Sequence, residues 1–485
     1  MAFTDRLHNR GSISTGYDID NSLKLEADNS EYLNRTPGAN GSRTTWTTSV
    51  WVKRTEIGVD QAVFSSVSNA STTNFCRFTS DDKIRFYFQP DDVAATYYAD
   101  TNAVFRDTSA WYHIVWGLDS TNSDGSKRFV VYVNGVYQES TWAGSATAST
   151  NCPQNSGSRF LQSEPIYIGK ATYTNGHYFN GYMADLHVLD GIAPDPTDFG
   201  EYDEDSGIWK PKAYTGSHGT QGFYLDFSDA ANLGDDASGN GNNFTENNIT
   251  SADQATDTPT NNFCTLNGLT PATTSAYTTE GGTTYNGSWS NPEYALMAST
   301  FGVSRGKWYW EVKNSGTNGA LTGTGAMRYE NPNYDNFLSN TDGGIATYYT
   351  YGTAANKIYY FDGSAQTSVA YSSFPNAGTG DIISIALDMD NGKIYFAINN
   401  TWGNSGNPAT GTNPVGLPSG FITDTYTPAA TVGSAGTSTA YYNFGGYTEG
   451  TISSPASDEN GYGTFEYAPP SGYYALCTKN LAEYG

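Results

Sequence analysis

The chain has 485 residues, enough for two to four domains at roughly 100 to 200 residues each, and it carries 24 Lys plus Arg against 49 Asp plus Glu, a net charge of -25. That balance excludes a nucleic-acid-binding surface, which needs a basic footprint to release counterions. An aromatic content of 14% argues against disorder, and 53 Gly among many Ser, Thr, Asn, Tyr and Val supply turns and strands, so composition points to an all-β protein.

The opening MAFTDRLHNRGS is charged where a secretory signal would need an apolar core, and nowhere do roughly 18 consecutive apolar residues occur to cross a bilayer. We therefore expect no export signal and no membrane insertion. Residues 1–20 place Phe3, Leu7 and Ile13 among polar neighbours, the pattern of a segment that anchors the chain to a neighbouring protein or to its own copies. In TTWTTSVWVKR, residues 44–54, Trp46, Thr48, Val50 and Val52 alternate with Thr47, Ser49, Trp51 and Lys53, which is the period of a strand. KIRFYFQP follows, then WYHIVWGLDSTNSDGSKRFVVYVNGVYQ, two β runs around a polar loop with a further turn at Asn134-Gly135. PIYIGK and HYFNGYMADLHVLDG complete a region with the strand spacing of a sandwich, residues 21–195.

Composition then shifts. Residues 196–262 hold Pro196, Pro211, the acidic run EYDED and the turn-rich LGDDASGNGNNFTENNIT, and are expected to be a connector. A second β region, 263–485, contains GKWYWEVK and the clearest hairpin of the chain. There Ile383, Ile385 and Leu387 alternate before Asn391-Gly392, and Ile394, Phe396 and Ile398 alternate after it. Pro469-Pro470 precludes a central strand near the C-terminal end.

Chemistry-bearing patterns are few. A retaining glycanase needs two carboxylates about 5 to 5.5 Å apart; the nearest spacing, Glu201-x-Asp203-x-Asp205, lies in the Pro-flanked segment and lacks a final Glu. The five His show no metal-ligand spacing, and His113 shares a strand face with Trp111 and Val115, as a packed, hydrogen-bonded residue would. We expect no catalytic residue. Cys76, Cys152, Cys264 and Cys477 form no C-x-x-C pair and are expected to be free thiols. Asp235, Asp236, Asn240 and Asn242 are hard oxygen donors among glycines, the ligand type that calcium takes, although they miss the EF-hand spacing and suit metal-free Asx turns as well. Tyr348, Tyr349 and Tyr351, with Trp402 after the hairpin, are the candidate ligand-binding aromatics for a sugar or peptide.

WYHIVWGLD, VYVNG, PIYIGK and FNGYMADLHVLDG resemble the core of a laminin-G-like, concanavalin-A-type domain over about 20–195. GKWYWEVK, the hairpin GDIISIALDMDNGKIYFAINNTWG, YTPAATVG and YYNFGG resemble the SPRY domain over about 263–448. Both resemblances imply antiparallel jelly-roll sandwiches. The pairing, with DDASGNGNNFTENNIT between the modules and APPSGYYALCTKNL after them, is similar to large structural proteins of tailed bacteriophages, marine and cyanobacterial ones in particular. It implies a virion component assembled in the host cytoplasm: a tail-fibre, tail-tip or head-fibre protein for host-surface glycan recognition. A capsid decoration protein is the alternative, and a glycan hydrolase is disfavoured. Other virion proteins, host glycan and further copies of the chain are the partners expected on this reading.

Overall fold

The computed structural model describes residues 16–68, 71–90, 97–144, 152–171, 176–269, 276–289, 296–315, 322–328, 344–349, 357–361, 366–370, 377–415, 424–432, 436–449 and 452–485. It is almost entirely antiparallel sheet, with a single seven-residue α-helix, Thr478–Tyr484, among the described residues. Two compact units divide it at Thr260 and Asn261.

The first unit is a two-sheet sandwich. Its back sheet runs, in spatial order, Val136–Tyr137, Phe129–Val133, Trp111–Asp119, Thr45–Arg54, Gly181–Asp190, Ser22–Leu25 and Gln254–Ala255, with Phe223–Leu225 also paired to Gly181–Asp190. The front sheet runs Ser140–Gly144, Tyr97–Thr101, Ile84–Phe88, Ser71–Phe78, Gln61–Ser68, Ile166–Ile168, Tyr32–Arg35 and Thr245–Asn247. Alternation along each strand sends Trp46, Val50 and Val52 inward from the back sheet to meet Phe64, Phe86 and Ile168 from the front. At the centre the Trp46 ring packs 4.4 Å from Phe160 and edge-on to Trp116 at 5.4 Å. The turn at Asn134-Gly135 has φ of 49° and 76°, the two positive values that a two-residue hairpin loop of matching twist requires.

Residues 196–262 are not a connector. Three of their strands, Phe223–Leu225, Thr245–Asn247 and Gln254–Ala255, are hydrogen-bonded into the two sheets of the first sandwich. The reason lies in Thr45–Arg54: from Trp46 to Arg54 every residue is buried, on both faces, so the outward Ser49, Trp51 and Lys53 need a cover. The stretch rich in Pro and turns supplies it, with Phe199 and Trp209 laid on the back sheet. From the expected anchoring segment, residues 1–15 lie outside the described residues. Tyr17 and Ile19 are bound to the first unit through Asp185, Tyr224 and Thr260.

The second unit has one sheet in the order Ala276–Thr279, Thr284–Trp289, Gly436–Asn443, Lys307–Asn314, Ile382–Asp388, Lys393–Ile398, Thr401–Trp402, and a second in the order Met297–Ala298, Tyr426–Val432, Thr322–Arg328, Gly344–Tyr349, Lys357–Phe361, Gln366–Ala370. The hairpin pairs Ile383 with Ile398, Ile385 with Phe396 and Leu387 with Ile394, as the alternation predicts. Its turn is closed by the Asp388 carboxylate, which accepts from the Asn391 backbone N–H at 3.0 Å. Trp308, Trp310, Ile385 and Phe396 lie in the main core of this unit. The C-terminal residues cover the outer side of its first sheet, where Phe465, Tyr473 and Ala475 pack on Tyr309 and Tyr395. All four cysteines are buried, and none is in a disulfide.

Candidate ligand-binding face

The two outer faces of the first sandwich are built from similar residue types and treated differently. On the front sheet, the strand IRFYF directs Ile84 and Phe86 inward, which leaves Arg85 and Tyr87 outward. Cross-strand register then makes two outward rows. Ser65, Phe75, Tyr87 and Tyr98 stand opposite one another on successive strands, as do Arg77, Arg85 and Asp100. Tyr87 stacks on Phe75 at 4.7 Å and on Tyr98 at 6.3 Å, with the planes within 14°. Arg77 lies 5.1 Å over the Phe75 ring and Arg85 lies 4.9 Å over the Tyr98 ring. Arg85 also grips Asp100 through two bonds of 2.6 and 2.7 Å, which raise the guanidinium above its ordinary pKa. Asp60 stands between Arg77, at 3.6 Å, and His177, at 3.9 Å.

Further along the same face, Tyr32, Tyr167 and Tyr178 surround Lys170, whose ammonium sits 3.9 Å from the centre of the Tyr32 ring. Apart from the buried Phe75 and Ser65, the side chains of both rows and of this cage are half-buried. Such a face offers apolar ring surface beside planar polar groups fixed in place by their own bonds. That combination suits a polyhydroxylated ligand, whose C–H faces take the rings and whose hydroxyls take the Arg and Asp edges.

The back sheet's outer face is closed instead. His113, fully buried, hydrogen-bonds Ser49 through Nε2 at 2.8 Å and accepts at Nδ1 from the Trp209 indole N–H at 2.9 Å. Its ring stacks on Trp51 at 4.7 Å. Burial pushes the imidazole down to about 3, and a proton at Nδ1 would also confront the indole N–H. Lys53 and Asp257 form a buried ion pair of 2.7 Å, with Trp111 donating to the other Asp257 oxygen at 3.1 Å. At a bulge in Gly181–Asp190, Asp185 takes the hydroxyls of Tyr17 and Tyr224 at 2.8 and 2.9 Å. Burial would raise its carboxyl, but His187 and these bonds outweigh it and hold the group below the usual carboxylate range. These are buried clusters of polar groups bonded largely to one another, with rings used as packing; the Trp51 indole N–H and Asp185 Oδ2 are left without a hydrogen bond.

The residues nominated from sequence are scattered. Tyr348 and Tyr349 lie in Gly344–Tyr349, opposite Gly323 and Thr322, while Trp402 is at the edge of the other sheet of that unit, half-buried and edge-on to Tyr395 at 6.4 Å. Tyr351 lies outside the described residues. Asp235, Asp236, Asn240 and Asn242 have taken other work. Both Asp236 oxygens accept backbone N–H groups, from Tyr224 and Ser238 at 2.9 Å and from Asn242 at 2.8 Å. The Asn240 and Asn242 amides donate to the Gly222 carbonyl at 3.0 and 2.8 Å, the Asn242 oxygen takes Arg35, and Asp235 accepts from Asn243. The loop is thereby a latch that holds residues 219–224. Glu201 and Asp203 both face Lys210, at 3.6 and 3.3 Å, on a small hairpin.

Local alternation alone does not single out this face, yet the sequence carries a signal of it. In KIRFYF the positions that alternate away from the apolar set are Arg and Tyr, and YYADT repeats the pattern with Tyr98 and Asp100.

Two family models match the chain: residues 27–194 match the concanavalin A-like lectin/glucanases superfamily and residues 307–407 match the SPRY domain. Comparison with curated proteins finds no match. Among solved structures, a Bacteroides ovatus protein assigned to carbohydrate binding is 15% identical, covering 48% of this chain and 59% of its own, less than two thirds of that protein, with a TM-score of 0.34. The SPRY domain of human HERC1 is 19% identical, covering 34% of this chain and 89% of its own, with a TM-score of 0.24. A heptameric SAP-like pentraxin from Limulus polyphemus is 14% identical, covering 36% and 78%, with a TM-score of 0.26. The chain carries a lectin-like domain of the concanavalin A-like superfamily, followed in sequence by a SPRY domain.

Proposed function

We propose that the protein is a non-enzymatic virion component that recognises host-surface glycan, and that the front face of the lectin-like sandwich is where it does so. The observation that carries this reading is the half-exposed aromatic row Tyr87 and Tyr98 beside the Arg85–Asp100 pair. On the opposite face of the same sandwich the central aromatic and charged groups Trp51, His113 and Lys53 are buried. A tail-fibre, tail-tip or head-fibre position supplies the need for such a face. Glu201 and Asp203 compensated by one lysine support binding over hydrolysis.

The net charge of -25 opposes approach to an anionic envelope over a Debye length of about 8 Å at physiological salt. Added salt should therefore speed adsorption, the reverse of a basic adhesin. The test is binding of the full chain to purified host-envelope polysaccharide, alongside imaging of the intact particle. Binding abolished by Tyr87→Ala with Tyr98→Ala supports the reading. A chain that binds no envelope glycan at any salt, arrayed regularly over a capsid shell, is a decoration protein instead.

A further inference from the structure

Beside the sheet edge where the first unit begins and ends, one lysine meets two acids in a dry site. Lys24, on Ser22–Leu25, places its Nζ 2.8 Å from Oδ1 of Asp253 and 3.1 and 3.2 Å from the two oxygens of Glu31. The three side chains are 1%, 8% and 3% exposed. Each acid is held in position. Asp253 closes a capping box, its Oδ2 accepting from the Thr250 N–H at 2.7 Å, and Glu31 accepts from the Glu26 N–H at 2.8 Å and from the Asn29 amide at 3.0 Å. Two carboxylates about one ammonium leave an excess negative charge out of water, an arrangement whose desolvation cost is high. Burial accordingly pushes the Glu31 carboxyl upward, opposed by Lys24 and reinforced by Asp253.

We propose that Lys24 and Asp253 condense into an intramolecular isopeptide bond, with Glu31 as the group that moves the protons. The ammonium gives one proton to the Asp253 carboxylate and becomes a neutral amine. Its nitrogen lone pair attacks Cγ of Asp253, forming the C–N bond. Glu31, in contact with Nζ, takes a proton from the nitrogen and delivers it to the departing oxygen. The C–Oδ1 bond breaks and one water leaves, while Oδ2, already held by the Thr250 N–H, remains as the amide oxygen. Glu31 returns to its starting state, and neither oxidant nor reductant is required. The product replaces a buried ammonium and carboxylate with a neutral amide. It joins the first strand of the sandwich to the segment that closes it, within a covalent loop that contains most of the unit.

The experiment is intact mass spectrometry of the full-length chain under denaturing conditions, followed by proteolysis and tandem sequencing. The expected result is a mass lower by one water than the sequence mass, and a branched peptide in which Lys24 is joined to Asp253. Glu31→Gln and Asp253→Ala should each restore the unmodified mass, with only the substituted side chain's own difference. A wild-type chain at full sequence mass overturns the proposal whether or not the variants fold. A branch at Lys53 and Asp257, the other buried pair at 2.7 Å, would also overturn it, as would a Glu31→Gln chain that still carries the link.

Discussion

The covered and open faces of the first sandwich both draw on Tyr, His, Lys and Asp, to opposite ends. On the covered back face polar groups are tied to partners that are themselves fixed, as in Ser49–His113–Trp209, although the Trp51 indole N–H and Asp185 Oδ2 are buried without a hydrogen bond. On the open front face the pairs are just as well formed, as Arg85 with Asp100 shows, but the rings beside them remain half-exposed. Residue type therefore says little about role; what decides is whether a later piece of chain returns to cover the row. A covered aromatic should matter for stability and not for ligand, an open one the reverse.

The largest effect that could break this comparison belongs to Trp209. Trp209→Ala removes a ring packed on His113 and orphans its Nδ1 acceptor, and should cost about 3 to 5 kcal/mol in urea unfolding of the first unit. Glycan affinity of the molecules that remain folded should be unchanged; a loss of affinity would mean that the covered face also binds.

Acid provides the next largest. His113 sits at about 3 in the folded chain against roughly 6.5 when unfolded, so between these values the unfolded state binds the extra proton. Its neutral form contributes stability in full above about pH 6.5, and that contribution falls as the pH drops toward 3, by roughly 2 kcal/mol between pH 6.5 and 5. His218, pushed down to about 4 by burial, acts in the same direction. Urea midpoints at the two pH values should show the loss in wild type and a flatter response in His113→Asn.

On the open face, Tyr87→Ala or Tyr98→Ala should weaken glycan binding roughly tenfold, about 1 to 2 kcal/mol, by calorimetry or a binding array. The melting temperature should move little, because these rings are only half-buried. A large drop in melting with intact binding would reverse the assignment of the two faces. The smallest change is expected for Trp402→Ala, which trims an edge-on contact with Tyr395. Stability should fall by about 1 kcal/mol and adsorption should hold.

Much of the fold could be read from the sequence because period-two alternation is local. Trp46, Val50 and Val52, or Ile383, Ile385 and Leu387, declare their face within a few residues. The cover of the back sheet could not be read that way. Trp209 meets His113 across ninety-six positions of chain and Asp257 meets Lys53 across two hundred and four, and no local pattern announces either. The same distance effect hid the proposed binding row. Phe75, Tyr87 and Tyr98 each look like ordinary strand aromatics until register sets them side by side. Glycine and asparagine density misled in the other direction: it marks tight turns correctly in DDASGNGNN, but such turns serve a packed latch as readily as an open linker.

The strand Ser22–Leu25 lies between Gly181–Asp190 and Gln254–Ala255. This placement imposes an order on synthesis. As the chain emerges from a ribosome, its first strand has no neighbour until residue 190 has appeared, and one edge stays unpaired until residue 255 follows, several seconds later at about 5 to 20 residues per second. During that interval a half-built sheet exposes hydrogen-bonding edges and the apolar rings meant for the returning segment, the conditions under which nascent chains pair with one another. Production of this protein should therefore be more sensitive to growth temperature and chaperone supply than its finished stability would indicate, and a chain cut between 190 and 255 should be insoluble even though it retains most of the first sandwich.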